Sequence, residues 1–326
     1  MKKVAAWAVF CGLLVVFLLA SALAWAWSLL QPVNKNETQT QVVTVVKGQT
    51  WSAVADELEN RALIHDALAF RVWVKFWGGS ESLQIGNHLV SPAMSVAQVW
   101  EVLTQPPEQV TITILPGWRR EEIAAYLAQQ SFPEFDEAEF LALTADLEGR
   151  LMPETYKIAP LSTTETMVKV LHDQFVADVE ENADIQAKVA KSGHSLSEIL
   201  TLASLLQREA RDAEQMRVIA GILENRLADH YPLQLCASAQ YATGQDATTG
   251  KWWEPPTAAD TEFDSPYNTY VYKGLPPGPI CAVSMEALEA ALSPAETDYY
   301  YYLHDAAGQI HYAKTLDQHN ANKQYL

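Results

Sequence analysis

From Val4 to Leu30 the chain carries no charged residue, and no other feature constrains the rest of the molecule as much. The run is longer than the roughly 20 apolar residues that cross a bilayer as a helix. Lys2 and Lys3 precede it, and the next charges are Lys35 and then Glu37. The basic bias therefore lies on the N-terminal side, which predicts residues 1–3 in the cytoplasm, a transmembrane helix over 4–30 and the remainder outside. Trp25 and Trp27, near the outer end, suit the interfacial depth that indole rings favour. The competing reading is a cleaved signal peptide with Ala22-Leu23-Ala24 as its small-residue site, although such an apolar region normally runs about 7–15 residues. On both readings the remainder is exported, and the first predicts a single-pass protein of the cell membrane.

The exported part is long enough for about two domains. A net charge of -18 and a pI of 4.8 exclude the usual electrostatic footprint for nucleic acid. Of three cysteines, Cys11 lies in the apolar run. Cys236 and Cys281 form the only pair in a compartment where disulfides persist, so a bond between them is expected.

Residues 31–41 are polar and lack hydrophobic periodicity, which reads as a tether. A strand, a Gly or Pro turn and an amphipathic helix then recur three times. The first set is Val42–Val46, Gly48 and the stripe Trp51, Val54, Ala55, Leu58. The second is Gly86–Val90, Pro92 and Val96, Val99, Leu103; the third is Val110–Leu115, Pro116-Gly117 and Ile123, Ala124, Leu127. Unequal spacing excludes a solenoid. Such units resemble LysM, a small module that binds N-acetylglucosamine polymers; a spacer that binds nothing is the alternative. After Phe132-Pro133 the pattern is helical to about residue 229, with a loop over Leu151–Pro160 and a break near Gly193. Loops and short strands follow from Leu233 to Ile280, then a helix over about 284–292 and a hairpin over Tyr299–Tyr312 turning at Gly308. The fold class expected is α+β: a transmembrane helix, a LysM-like module over 42–108 and a C-terminal domain over 109–326.

One helix combines a strong start with an unusual end. Ser195-Leu196-Ser197-Glu198 matches a capping box, and the apolar stripe Leu196, Ile199, Leu202, Ala203, Leu206 leads in register to Glu209. A carboxyl at the edge of a buried face is held protonated by desolvation and can donate a proton near neutral pH. The plainer alternative is a helix-end Glu that turns to solvent or pairs with Arg208 or Arg211. A second helix, with Met216, Ile219, Leu223 and Leu227 on one stripe, is expected to pack antiparallel against it and to carry Asn225 and Arg226 toward the loop Leu233–Tyr241.

Six motifs in order carry a family resemblance: Ala203-Ser204-Leu205-Leu206-Gln207-Arg208-Glu209, Glu224-Asn225-Arg226-Leu227, the Leu233–Tyr241 loop, Ser265-Pro266-Tyr267-Asn268-Thr269-Tyr270, Gly274-Leu275-Pro276-Pro277-Gly278-Pro279-Ile280, and His311-Tyr312-Ala313-Lys314-Thr315 through His319-Asn320. Together they resemble the endolytic murein transglycosylase (MltG, YceG-like) family. Met152-Pro153-Glu154-Thr155-Tyr156 is similar to a further element of it. The resemblance puts the catalytic acid at Glu209. Gln207 stands where the family often has a second Glu, Cys236 where it commonly has Asp, and Cys281 where no Cys is usual. The two unusual cysteines together strengthen the expected bond between their loops.

The resemblance implies an enzyme, a lytic transglycosylase of the carbon–oxygen lyase class, with peptidoglycan glycan strands as substrate, cell-wall synthase complexes as partners and no cofactor. One carboxyl then suffices where a hydrolase needs two, because the muramoyl C6 hydroxyl attacks its own anomeric carbon. Candidate glycan contacts are Gln234, Gln240, Tyr241, Tyr267, Asn268, Thr269, Glu154, Trp252 and His319. His304, His311 and His319 match no zinc spacing, so no metal is expected. The alternative from another class is a non-catalytic peptidoglycan-binding scaffold in which Glu209 is structural.

Overall fold

The computed structural model describes residues 2–79 and 81–326; within the first helix it describes the side chains of Trp7 and of residues 12–28. That helix, α1, spans Lys2–Ser28. Among the described residues no helix is long and apolar enough to cross a membrane. The described stretch 12–28 is by itself shorter than the roughly 20 residues such a helix needs. The chain divides into two compact units, one of residues 1–110 with 159–161 and one of 111–158 with 162–326.

In the first unit β1 (Gln41–Val45) pairs antiparallel with β2 (Gly86–Val90), with Val43 opposite His88 and Val45 opposite Gly86. Between these strands lie α2 (Trp51–Asn60) and α3 (Ala67–Trp77), and α4 (Val96–Thr104) follows β2. Each helix starts on a side chain that satisfies an otherwise orphaned N–H: Thr50 for α2, Asp66 for α3 and the Ser95–Gln98 capping box for α4. Val43, Val54, Leu58, Phe70, Val90, Val99 and Leu103 form the core. The helix α3 was not expected from the repeated pattern, because its apolar residues are not confined to one face.

Residues 31–40 contain no helix or strand, yet the stretch 31–41 is not a free tether. The Val96 N–H donates to the Leu30 carbonyl at 3.1 Å, the Asn34 N–H donates to Pro92 O at 3.0 Å, and the Leu30 side chain packs on the core. Lack of periodicity in this stretch reflects irregular backbone, and tertiary hydrogen bonds hold it.

The second unit opens with β3 (Val110–Thr113), α5 (Arg120–Ala128), α6 (Glu137–Leu143) and β4 (Thr155–Ile158). Sequence reading made residues 151–160 a loop. The strand there is only four residues long, but it pairs with β3 and buries Tyr156 and Ile158 in alternation. Next come α7 (Thr164–Phe175), extended by a π turn over Val176–Glu180, and α8 (Ala183–Ser192), which stops at Gly193 with φ of 80°. The helices α9 (Leu196–Glu209) and α10 (Ala213–Ala228) follow. Then come α11 (Cys236–Thr243), α12 (Ala258–Thr261) and α13 (Met285–Leu292). The chain closes with the antiparallel hairpin β5 (Tyr301–His304) and β6 (Ile310–Ala313), then α14 (Leu316–Asn322).

The core of this unit is built on α9, whose residues 199–206 are all buried, packed with α10 and α13. Buried runs of Leu and Ile of this kind stabilise by about 1.5–3 kcal/mol per side chain. Gly221 lets α10 approach the segment after α13: a Cβ there would lie 2.1 Å from the Ala295 carbonyl oxygen. The molecule is therefore a mixed α+β protein with three small two-stranded sheets among the described residues.

Candidate active site

The N-terminal half of α9 is fixed by the Ser195–Glu198 capping box and by burial, so its last residue, Glu209, emerges from the core at a defined place. The carboxylate does not turn to solvent. Its Oε2 accepts the Tyr302 hydroxyl at 2.9 Å, and the Ala237 N–H, in the first turn of α11, also donates to it. Burial raises the Glu209 pKa above the usual carboxyl range. The Tyr302 hydroxyl, the Ala237 N–H and the nearby Arg208 and Arg226 charges act against that rise without cancelling it. Tyr302 is pushed well up in turn, by its burial first and then by the Glu209 charge. It remains a hydroxyl donor.

Arg226 assembles the surroundings of this carboxyl. It is 7% exposed, and it donates from Nε to Tyr300 O at 2.6 Å and from a terminal nitrogen to Leu233 O at 2.6 Å. One side chain on α10 thus holds both the hairpin that carries Tyr302 and the loop that leads to α11. Asn225 adds bonds to Thr297 O at 2.8 Å and Tyr299 O at 3.1 Å. Gln207, in place of a second carboxylate, accepts the Ser284 N–H at 3.1 Å and so fixes the start of α13.

A second cluster forms on the other side of the α9 terminus. Arg208 stacks on Trp253 at 3.9 Å, and the Trp253 indole donates to Glu122 at 2.8 Å. Arg119, 7% exposed, lies over the rings of Tyr241 at 4.3 Å and Trp252 at 4.4 Å, and one of its terminal nitrogens has no hydrogen-bond partner among the described residues. Tyr241 meets Tyr267 at 4.8 Å and donates a long hydrogen bond of 3.4 Å to Glu148. Burial, and then the Glu121 charge, push Glu148 up to about 7 against the Arg120 N–H and the Arg119 charge. Sequence reading missed Glu148, Arg119 and Glu122. The one local signal was Gly149, which sits at φ of 74° and leaves room for Pro279, where a Cβ would lie 2.4 Å away.

The expected glycan contacts therefore divide. Tyr241, Tyr267 and Trp252 come together around Arg119 and Glu148. Gln240 is half-buried and uses its amide to hold Trp253 O and Glu254 O at 3.2 and 2.7 Å. Gln234 is exposed, at φ of 50°, with its N–H on Thr269 O. Asn268 and Thr269 are corrected: both are buried and belong to the fold. The Asn268 amide donates to the carbonyls of Asp260, Thr261 and Phe263. Thr269 bonds the Leu235 N–H and Ser238, and so shapes the loop before α11. Glu154 lies in the residues leading into β4. Its side chain is exposed, and its carbonyl accepts the Ile114 N–H beside the β3–β4 pair. His319 stacks on Tyr301 at 5.3 Å, and burial, with the Lys323 and Arg226 charges, lowers its pKa.

The expected Cys236–Cys281 bond is absent, and both residues are free thiols. Cys281 is fully buried beneath α9 with its thiol toward Ser204 O at 3.4 Å, whereas Cys236 is exposed and meets the Tyr270 hydroxyl at 3.3 Å. The core takes one side chain and the surface the other, which no loop-to-loop pairing rule anticipates. His311 pairs with Asp305 at 3.0 Å, and among the described residues no cluster of His, Cys, Asp and Glu is placed to hold a metal ion.

The model of the YceG-like family matches residues 43–325. An endolytic murein transglycosylase of Bacillus subtilis (strain 168) is 31% identical over 335 residues, covering 94% of this chain and 90% of that protein. An endolytic murein transglycosylase of Streptococcus pneumoniae (strain ATCC BAA-255 / R6) is 28% identical over 90% of this chain; the chain spans 59% of that longer protein. Among solved structures, a YceG-like protein of Listeria monocytogenes superposes with a TM-score of 0.57 at 28% identity, covering 87% of this chain and 99% of that one.

Proposed function

Because the chain belongs to the YceG-like family, we infer that it is an endolytic murein transglycosylase, a lyase that cuts peptidoglycan glycan strands. The observation that carries the chemical assignment is the environment of Glu209: a carboxyl at the end of a buried helix, desolvated, with a hydroxyl and an N–H donor on it.

In the reaction proposed, the Glu209 carboxylic acid gives its proton to the oxygen linking N-acetylmuramic acid to N-acetylglucosamine, and that C–O bond breaks. The resulting carboxylate takes the proton of the muramoyl C6 hydroxyl as its oxygen bonds to the anomeric carbon. The products are a 1,6-anhydro end and a free saccharide end, and no water is consumed. Desolvation favours the acid in the first step, and the Tyr302 and Ala237 donors stabilise the carboxylate that the first step leaves. The internal nucleophile makes a second carboxylate unnecessary, which agrees with Gln207 bonding to backbone in this chain. Tyr241, Tyr267 and Trp252 offer flat faces to sugar rings.

The proposal extends to place. The uncharged run in α1 anchors the chain in the cell membrane with residues 1–3 inside, the first unit acts as a LysM-like glycan grip, and nascent strands beside cell-wall synthase complexes are the substrate, cut so as to terminate or trim them. The test is incubation of the protein with purified glycan strands and mass spectrometry of the products. Products bearing 1,6-anhydromuramic acid are expected, and Glu209→Gln is expected to abolish them while the fold persists by circular dichroism. Water-derived reducing ends would make the protein a hydrolase, and binding without cleavage would make it a scaffold.

A further inference from the structure

Among the described residues, one face of α3 has no partner in the first unit. Ala67 and Phe70 are buried, whereas Leu68, Val72 and Phe76, spaced i, i+4, i+8, are 65%, 44% and 69% exposed, and Trp77 beyond them is 68% exposed. A row of large apolar side chains in contact with water marks a surface that is covered in use. This row is continuous with the end of α1: Leu68, Val72 and Trp77 line one groove of about 440 Å³ with Leu23, Trp25 and Trp27. The end of α1 is tied to the unit that carries α3, since Leu30 O accepts the Val96 N–H at the start of α4, the Asn34 N–H donates to Pro92 O, and Leu30 packs on the core that also holds Ala67 and Phe70 of α3. α3 therefore keeps its place beside the α1 terminus.

We propose that the exposed face of α3 seats in the interfacial layer of the bilayer that α1 enters, with lipid acyl chains and headgroups as its occupant. This inference rests on the reading of α1 as a membrane anchor. Four indoles, Trp25, Trp27, Trp73 and Trp77, gather at this one level of the unit, the depth at which Trp is enriched in membrane proteins. The charge pattern agrees. Lys75, in the last turn of α3, extends alongside the Phe76 ring at 6.0 Å, as a basic side chain does when its stem lies on apolar surface and its ammonium meets anionic headgroups. Arg71 is turned to the unit's own Asp56 and Ser52. Lipid also suits a face that offers side chains at helical spacing and no row of backbone donors or acceptors. Seated in this way, the first unit has a fixed orientation on the membrane.

The test uses the full chain reconstituted in vesicles of phosphatidylethanolamine with phosphatidylglycerol. A diazirine-bearing amino acid is placed singly at Val72, Phe76, Leu19 in α1, and Glu59 on α2. After irradiation, mass spectrometry is expected to find lipid adducts at Val72, Phe76 and Leu19, with Glu59 labelled several-fold less. Adducts at Leu19 with none at Val72 and Phe76 would overturn the inference and leave the anchor standing. Crosslinks from Val72 and Phe76 to a second copy of the chain, or to another protein, would overturn it equally. Absence of lipid adducts at Leu19 would remove the anchor, and the inference with it.

Discussion

Replacing Glu148 by Gln isolates a carboxyl that the fold holds in its acid form. Its pKa rises from an ordinary 4.5 to about 7, chiefly through burial and then through the Glu121 charge. Between these two values the unfolded chain has released the proton and the folded protein keeps it. The carboxyl's contribution to stability is therefore complete below pH 4.5 and is lost as pH rises through 7. At 1.36 kcal/mol per pH unit the loss is about 3 kcal/mol, and the residue's partial contact with water reduces the expectation to about 2 kcal/mol. Gln keeps the acceptor for the Tyr241 hydroxyl and the Arg120 N–H but cannot ionise. Glu148→Gln should match the wild type at pH 5 and exceed its unfolding free energy by about 2 kcal/mol at pH 8. Urea denaturation of the full chain in detergent, followed by tryptophan fluorescence at both pH values, measures the difference. A difference that is the same at pH 5 and pH 8, or a wild type that is more stable at pH 8, would refute the placement of a protonated carboxyl here.

Tyr302→Phe removes the hydroxyl donor to Glu209; loss of one hydrogen bond to a charged group, about 1.5–3 kcal/mol, should lower kcat by roughly 10- to 100-fold. Because that donor favours the carboxylate, its loss raises the Glu209 pKa further, and the alkaline limb of the pH–rate profile should move to higher pH; an unmoved limb counts against Glu209 as the acid. Arg226→Met strands the Tyr300 and Leu233 carbonyls, at about 1–3 kcal/mol each, so its urea midpoint should fall sharply with an unchanged slope. Peptide mapping after alkylation without reductant should find Cys236 modified in the native protein and Cys281 modified only after unfolding; a linked peptide containing both would restore the disulfide.

Helices with polar starts and one apolar stripe were legible from residue order. The cap at Ser195 and the stripe ending at Glu209 depend on neighbours three or four positions apart, and helical geometry turns that spacing directly into a face. The strand β4 was not legible, since four residues carry too little alternation to stand apart from a loop and only pairing with β3 defines them. Glu148 was invisible for a related reason. It follows Asp146 and Leu147 and precedes Gly149, an arrangement typical of a solvated turn, and it becomes a buried acid through distant parts of the chain, among them Tyr241 from almost a hundred residues later. Asn268 and Thr269 failed in the opposite direction. Their polarity suggested ligand contact, but buried backbone groups need partners wherever the chain supplies them: the carbonyls at the end of α12 and just after it take Asn268, and the loop before α11 takes Thr269.

By itself the sequence determined the uncharged N-terminal run, the α+β class, the helix that ends in Glu209 and the kinship of the last hundred and twenty or so residues, because each of these rests on short-range spacing or on ordered motifs. Only the tertiary structure decided that Glu209 faces Tyr302 and Ala237, that Cys236 and Cys281 stand apart, that the segment after α1 is held to the first unit, and that α3 leaves its apolar face open. These outcomes depend on which groups from distant parts of the chain exclude water from one another. That exclusion sets pKa values, thiol partners and exposed surface, and no local pattern encodes it.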